Sequence, residues 1–314
     1  MEIVSLYLKR GEPSSINLIK FYFLLISIIV IFLGILVNFF EKYLPTFISK
    51  TFRYGKHACK VSTILPVLEF PKSSFRQFYK VGLLCMLVTY IFVVATYIFE
   101  ISTPKCFKTI LNLITQEDKE RSELSATQVL VAITLLALQI ARRYYDTHYV
   151  SIFGKNSKIN FTHWGVGITY YPMVILAILC EAPNFSTPEL RKATLSEIGV
   201  FEVIGISLFF WAWWHQHTCT VILASLRKTK IGNTDSYKLP MGDWFQYISS
   251  PHCTAEILMY VALSFFLWQS VTWWYVILWI FGNQIVTILL SHWWYQENFK
   301  NFPKNRKALI PYLY

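Results

Sequence analysis

The sequence predicts an all-α fold, a polytopic membrane bundle of about seven transmembrane helices forming one domain over residues 1–314. Three observations predict it. Of 314 residues, 54% are hydrophobic and 18% aromatic, and mean hydropathy is +0.42. Only 15% are charged, whereas soluble domains carry about 25%. The apolar residues gather in runs long enough to cross a bilayer, and most cations sit between those runs. The net charge of +11 therefore points to membrane orientation, anionic headgroups or a phosphorylated ligand, and not to nucleic acid. No obligate protein partner is evident.

A spanning helix needs about 20 mainly apolar residues. Phe21–Phe40 meets this without a charge, and its length marks it as a span rather than a cleavable leader. Val81–Ile101 carries one charge, Glu100, near its end. Ala126–Ala141 is shorter but bounded by polar residues, and Trp164–Cys180 follows. Ile198–Trp214 ends in an aromatic cluster. Ile257–Gln269 and Val271–Leu290 complete the set, parted by little more than Ser270.

Loops 41–80, 142–163 and 215–256 and the tail 292–314 hold 20 of the 29 Lys and Arg residues. Seven alternating helices put all four segments on one side, which the positive-inside rule makes cytoplasmic. The N-terminus is then lumenal and the C-terminus cytosolic. Of two glycosylation sequons, Asn184-Phe185-Ser186 falls on the lumenal side and Asn160-Phe161-Thr162 on the cytoplasmic side, so only the first is open to modification. The six cysteines form no C-x-x-C pair, so neither a disulfide framework nor a metal site is expected.

The stretch Gln216–Glu256 is the longest polar interruption in the apolar C-terminal half. It holds Arg227 and Lys228, a turn-forming run at Gly232–Asp235, the pair Tyr237 and Lys238, and the block Gly242-Asp243-Trp244-Phe245. Cations, phenols and glycine turns suit a polyanion at a membrane surface; a solvated cytoplasmic loop is the other reading. Upstream, Glu69 is the only acid between Lys42 and Lys80. It is either an exposed carboxylate or a donor to substrate. Gln139, Arg142, Arg143 and Asp146 share one helical face at i, i+3, i+4 and i+7, and Arg143 can pair with Asp146. The two arginines also serve as an orientation signal. Gln139, inside an apolar run, needs a polar partner. His163 is a ligand contact or a structural histidine. Asn283 and Gln284, at membrane depth, join helices or line a polar cavity. A cationic tail bounded by Pro303 and Pro311 then follows the last span.

These residues resemble the steroid 5-alpha-reductase family, in particular its polyprenal (polyprenol) reductase branch. The matching pieces are Gln139 to Ser151, Val221 to Lys228, Leu239 to Phe245, Ser249-Ser250-Pro251-His252 with Glu256, and Ser291 to Tyr295 through Pro311. They cover about residues 65–314; residues 1–64 match only as a hydrophobic helix and its loop. The resemblance implies a multi-pass endoplasmic reticulum protein that takes NADPH from the cytosol and binds it through residues 215–314. It assigns cofactor contacts to Gln216, Arg227, Tyr237, Lys238, His252 and Tyr295, and Lys228, His292 and Arg306 are candidates beside them. Arg143, His163 and Glu256 become substrate contacts, and Glu69 and Gln139 the catalytic candidates. No G-x-G-x-x-G follows a strand, so the cofactor site is not of the Rossmann type.

The chain departs from the steroid-handling members. His252 stands where they carry Asn, and Ser291 where they carry a second His. Their helix-three tyrosine falls near Ile140, and no acid stands near Thr220. The substrate implied is thus a long-chain isoprenoid, polyprenal, on the way to dolichol for protein N-glycosylation. A 3-oxo steroid or an enoyl-CoA is the alternative. Outside the reductases, an isoprenylcysteine methyltransferase or a lipid transporter shares parts of the pattern.

Overall fold

The computed structural model describes residues 17–45, 48–49, 52–53, 68–115, 124–154, 156–186, 191–228 and 237–310. Among them are eight α-helices: α1 (Leu18–Phe39), α2 (Phe75–Tyr97), α3 (Lys105–Thr115), α4 (Ala126–Tyr145), α5 (Phe161–Leu179), α6 (Val200–Lys228), α7 (Pro251–Leu267) and α8 (Val271–Asn298). All but α3 fall on the seven apolar runs, and five (α1, α2, α4, α5 and α8) are long and apolar enough to cross a membrane. α7 has 17 residues, and α6 turns polar in its second half. The fold is a polytopic helical membrane bundle.

Local chemistry sets the helix starts. Asn17 caps α1 by accepting from the Ile19 and Lys20 amides at 3.0 and 3.1 Å. Ser125 and Gln128 form a capping box on α4. Ser270 accepts from Trp273 N at 3.2 Å, so the narrow joint between the last two runs is a true boundary. Pro251 opens α7 at a position where its missing N–H costs nothing.

α1 buries Ile19, Phe23, Ile26, Gly34 and Val37 and leaves Phe21, Leu25, Ile28 and Phe32 exposed. In a bilayer that outer stripe faces acyl chains, which solvate it. α1 packs on α8, α2 on both α4 and α5, and α7 on both α6 and α8. The α1–α8 approach depends on two glycines. A Cβ on Gly34 would lie 2.4 Å from Val286, and one on Gly282 would lie 2.6 Å from Ile31. Small residues let membrane helices come this close.

Three features differ from the sequence expectation. The polar stretch 216–256 is not one loop: α6 runs through to Lys228 and α7 already starts at Pro251. Both ends can stay helical because their polar side chains are paired inside the bundle. Next, β1 (Glu69–Pro71) pairs antiparallel with β2 (Lys158–Asn160), tying together two segments expected to be loops. Finally, Asn184 is 1% exposed, with φ +65°, and its side chain is bonded to the Arg191 backbone N–H and C=O at 3.2 and 3.3 Å. The sequon expected to be open is therefore closed by the fold.

Candidate active site

The polar residues of α4 that faced a common side in sequence face inward in the bundle. Gln139, 1% exposed, donates from Nε2 to Gln216 Oε1 of α6 at 2.9 Å and to Glu256 Oε2 of α7 at 3.1 Å. Gln216 also donates to Glu256, and to the His252 carbonyl at 3.2 Å. Arg142 donates to Gln139 Oε1 at 2.7 Å and also to Gln216 and to the Trp213 carbonyl. Three helices thus share a buried network of two amides, one carboxylate and one guanidinium. Each polar group in such a network is costly to leave alone in an apolar interior, so the members hold one another in place.

Just past the end of α4, at the start of a π-helical turn over Asp146–Val150, Asp146 is fully buried. It lies 4.0 Å from Arg142, 3.9 Å from Arg143 and 2.7 Å from His217 Nδ1. The Arg143–Asp146 pair expected from spacing is present, but shared. Arg143 donates to the Tyr79 hydroxyl of α2 from Nη2 at 2.9 Å and from Nε at 3.3 Å. The sequence marks Asp146 as a partner of Arg143 but does not mark His217 or Tyr79 for this site. The i+7 position of Asp146 was a usable signal; nothing local marks the other two.

A second cluster forms where the tail returns. Lys307 N donates to Tyr247 O at 2.8 Å and Ser249 N to Lys307 O at 2.9 Å. This short bridge docks the tail against the segment before α7. It brings Arg306 to a buried position, 2% exposed, where Nη2 reaches Met241 Sδ at 2.9 Å. Its Nε and Nη1 have no hydrogen-bond partner among the described residues. Burial holds this guanidinium below its ordinary pKa, opposed by the Tyr295 phenol. His292 Nδ1 and Ser249 Oγ are 2.7 Å apart, and Tyr295 is 5% exposed. Arg227 donates to the Ile152 carbonyl at 2.9 Å and stacks over Tyr237 at 5.5 Å, whose ring meets Trp294 at 5.2 Å. Lys228 closes α6, Lys238 is exposed, and residues 229–236 with the Gly232–Asp235 turn lie outside the described residues.

The Gly242-Asp243-Trp244-Phe245 block has a packing role. Gly242 and Asp243 take φ +94° and +45°, and this turn lays Trp244 on the His215 ring at 4.4 Å. The Asp243 carboxylate sits 2.9 Å from His215 Nδ1. Two candidates have contacts outside this network. Glu69 pairs with Lys158 at 3.0 Å. His163, at the start of α5, meets Phe52 edge-on at 6.1 Å.

Comparison with known proteins decides the family. A family described as 3-oxo-5-alpha-steroid 4-dehydrogenase matches residues 190–314. The Drosophila melanogaster protein named polyprenal reductase is 35% identical over 95% of this chain and 94% of its own length. The chain belongs to the steroid 5-alpha-reductase family. The human protein of the same name is 32% identical over 83% of this chain and 84% of its own, and the Caenorhabditis elegans one 31% identical over 83% and 85%. These likenesses place the chain in the polyprenal reductase branch. The protein is a membrane-embedded reductase, and the methyltransferase and transporter alternatives fall away.

Proposed function

We propose that this protein reduces the α-isoprene double bond of a polyprenal with NADPH, at the endoplasmic reticulum membrane, toward dolichol for protein N-glycosylation. The near full-length likeness to the fly protein carries the substrate assignment. The buried guanidinium of Arg306, whose Nε and Nη1 have no hydrogen-bond partner among the described residues, supports an anionic ligand at the tail. Paired guanidiniums favour phosphate because their planar forks match its oxygens. Arg306 and Arg227 would hold the 2′-phosphate and pyrophosphate of the dinucleotide. Tyr237, Tyr295 and His292 offer ring faces and hydrogen bonds beside them, with Gln216, Lys228, Lys238 and His252 as the remaining contacts. The residues present fit the cofactor. When bound, it supplies a hydride to the β carbon of the enal.

The chain's task is then to serve the aldehyde oxygen, where negative charge develops. Preorganised donors at such an oxygen are often the largest single contribution to catalysis. An isolated allylic alcohol has no carbonyl to take up that charge, so the aldehyde, not polyprenol, is the substrate. Glu69 and Gln139 are the donors expected from sequence. As the side chains stand, Lys158 holds Glu69, and both amide hydrogens of Gln139 go to Gln216 and Glu256. Gln139 therefore positions Glu256 and Gln216. Arg143, His163 and Glu256 remain the proposed substrate contacts, and the isoprenoid tail lies among apolar helices.

The test is NADPH oxidation by purified protein offered polyprenal, polyprenol, a 3-oxo-4-ene steroid and an enoyl-CoA in parallel. Turnover of polyprenal alone, lost with Arg227→Ala through weaker NADPH binding, is the expected result. Equal turnover of polyprenol, or a preference for steroid, would overturn the assignment.

A further inference from the structure

Tyr79 is an unusual phenol in this bundle. It is 8% exposed, sits in the second turn of α2, and its oxygen accepts two hydrogen bonds from one guanidinium, at 2.9 and 3.3 Å. The Arg143 guanidinium carbon also lies 5.0 Å from the ring centre. Both contacts use the phenol as acceptor. Its own hydrogen is given to no acceptor among the described residues. What sets it apart from Tyr97 and Tyr260, which are buried too, is the charged donor. Tyr97 donates to the Pro183 carbonyl at 2.8 Å, and Tyr260 accepts from a neutral phenol, Tyr170, at 2.5 Å, not from a guanidinium.

The phenol is also held rigidly. Asp146 anchors Arg143 at 3.9 Å, and Tyr171 packs on the Tyr79 ring at 5.6 Å. Arg76, one turn earlier, donates to the Thr147 carbonyl at 3.1 Å and locks the start of α2 to the end of α4. Arg143 shares its α4 face with Gln139 and is within electrostatic reach of Glu256. The hydrogen of Tyr79 therefore stands beside the buried network, in which both amide hydrogens of Gln139 are already given away.

We propose that Tyr79 is the acid that serves the aldehyde oxygen, with Arg143 as the positioning residue that stabilises its conjugate base. The inference rests on the enal reading above. As the alkene π pair shifts toward the carbonyl, the Tyr79 O–H bond breaks and the proton forms the O–H bond of an enol. The phenolate left behind keeps both guanidinium hydrogen bonds, which strengthen as charge appears on the oxygen. The enol then takes a proton from water at the α carbon and returns its hydroxyl proton to the phenolate. Solvent protonates the hydroxide that remains, so each turnover consumes one hydride and one proton.

Tyr79→Phe and Arg143→Lys test this in purified protein. Tyr79→Phe is expected to slow single-turnover reduction of polyprenal about 100-fold, a size typical of a lost general acid. NADPH affinity should stay within about twofold, since nothing in the cofactor cluster is touched. A readout independent of turnover is the affinity for polyprenoic acid, whose carboxylate mimics the enolate oxygen. It should weaken about tenfold in Tyr79→Phe, the size of one lost hydrogen bond. Arg143→Lys should slow the reaction about tenfold, and the double variant no more than Tyr79→Phe alone, as expected for residues acting through one another. Should Tyr79→Phe fail to fold, Arg143→Lys with an unchanged rate overturns the proposal. So does a Tyr79→Phe protein with wild-type rate and wild-type affinity for the acid. Wild-type protein inactive on polyprenal would instead overturn the functional reading beneath it.

Discussion

Replacing Asp146 by Asn should destabilise the bundle strongly. The carboxylate is fully buried and meets Arg142 at 4.0 Å, Arg143 at 3.9 Å and His217 at 2.7 Å. Two unit charges about 4 Å apart attract by about 4 kcal/mol at an effective dielectric of about 20. The desolvation of each ion offsets much of this in the wild type. In the variant the offset remains while the attraction goes, and the buried Arg142 and half-buried Arg143 guanidiniums are left beside an amide. Breaking one side of such a pair costs about 3–5 kcal/mol. At about 2 °C per kcal/mol for a large chain, the melting temperature should fall by about 6–10 °C. The assay is thermal unfolding in detergent followed by tryptophan fluorescence. Glu41→Gln is the control, because the Glu41–Arg53 pair at 2.5 Å is 38% and 22% exposed. Exposed pairs contribute about 0–1 kcal/mol. Equal melting shifts for the two variants would refute the claim that Asp146 anchors the buried charge cluster.

Arg306→Met should separate stability from binding. The wild-type guanidinium is buried with two nitrogens that have no partner among the described residues, a cost of about 1–3 kcal/mol, so the ligand-free variant should melt no lower than wild type. Its NADPH affinity, read by fluorescence titration, should fall at least about tenfold, as for one lost hydrogen bond to a charged group. Gly34→Leu should destabilise by about 1–3 kcal/mol, read as a lower melting temperature, because the added side chain meets Val286. Asn184 should carry no glycan, so an N-glycan-removing enzyme should leave gel mobility unchanged. Asn184→Ala should lower stability by about 1–2 kcal/mol through the lost Arg191 backbone contacts.

Seven of the eight helices were legible because the signal for an apolar helix is local: enough consecutive apolar residues, a capping residue, a break. Gln139 announced itself for the same reason, as an amide within an apolar run. The extension of α6 to Lys228 did not, because polar residues inside a bundle look in sequence like a loop. Only their pairing with other helices shows them to be interior.

The sequence by itself determined that the chain is a helical membrane protein, where its spans fall, which helical face of α4 is polar and which family it resembles. The tertiary structure alone decided which side chains meet. Gln139 reaches residues 77 and 117 positions away, and Arg143 holds a phenol 64 positions earlier in the chain. Hydropathy and helical period act over a few residues, whereas these encounters depend on how each helix is rotated against its neighbours. That rotation is set by the packing of the whole bundle, from the glycine contact of α1 with α8 to the strand pair at Glu69.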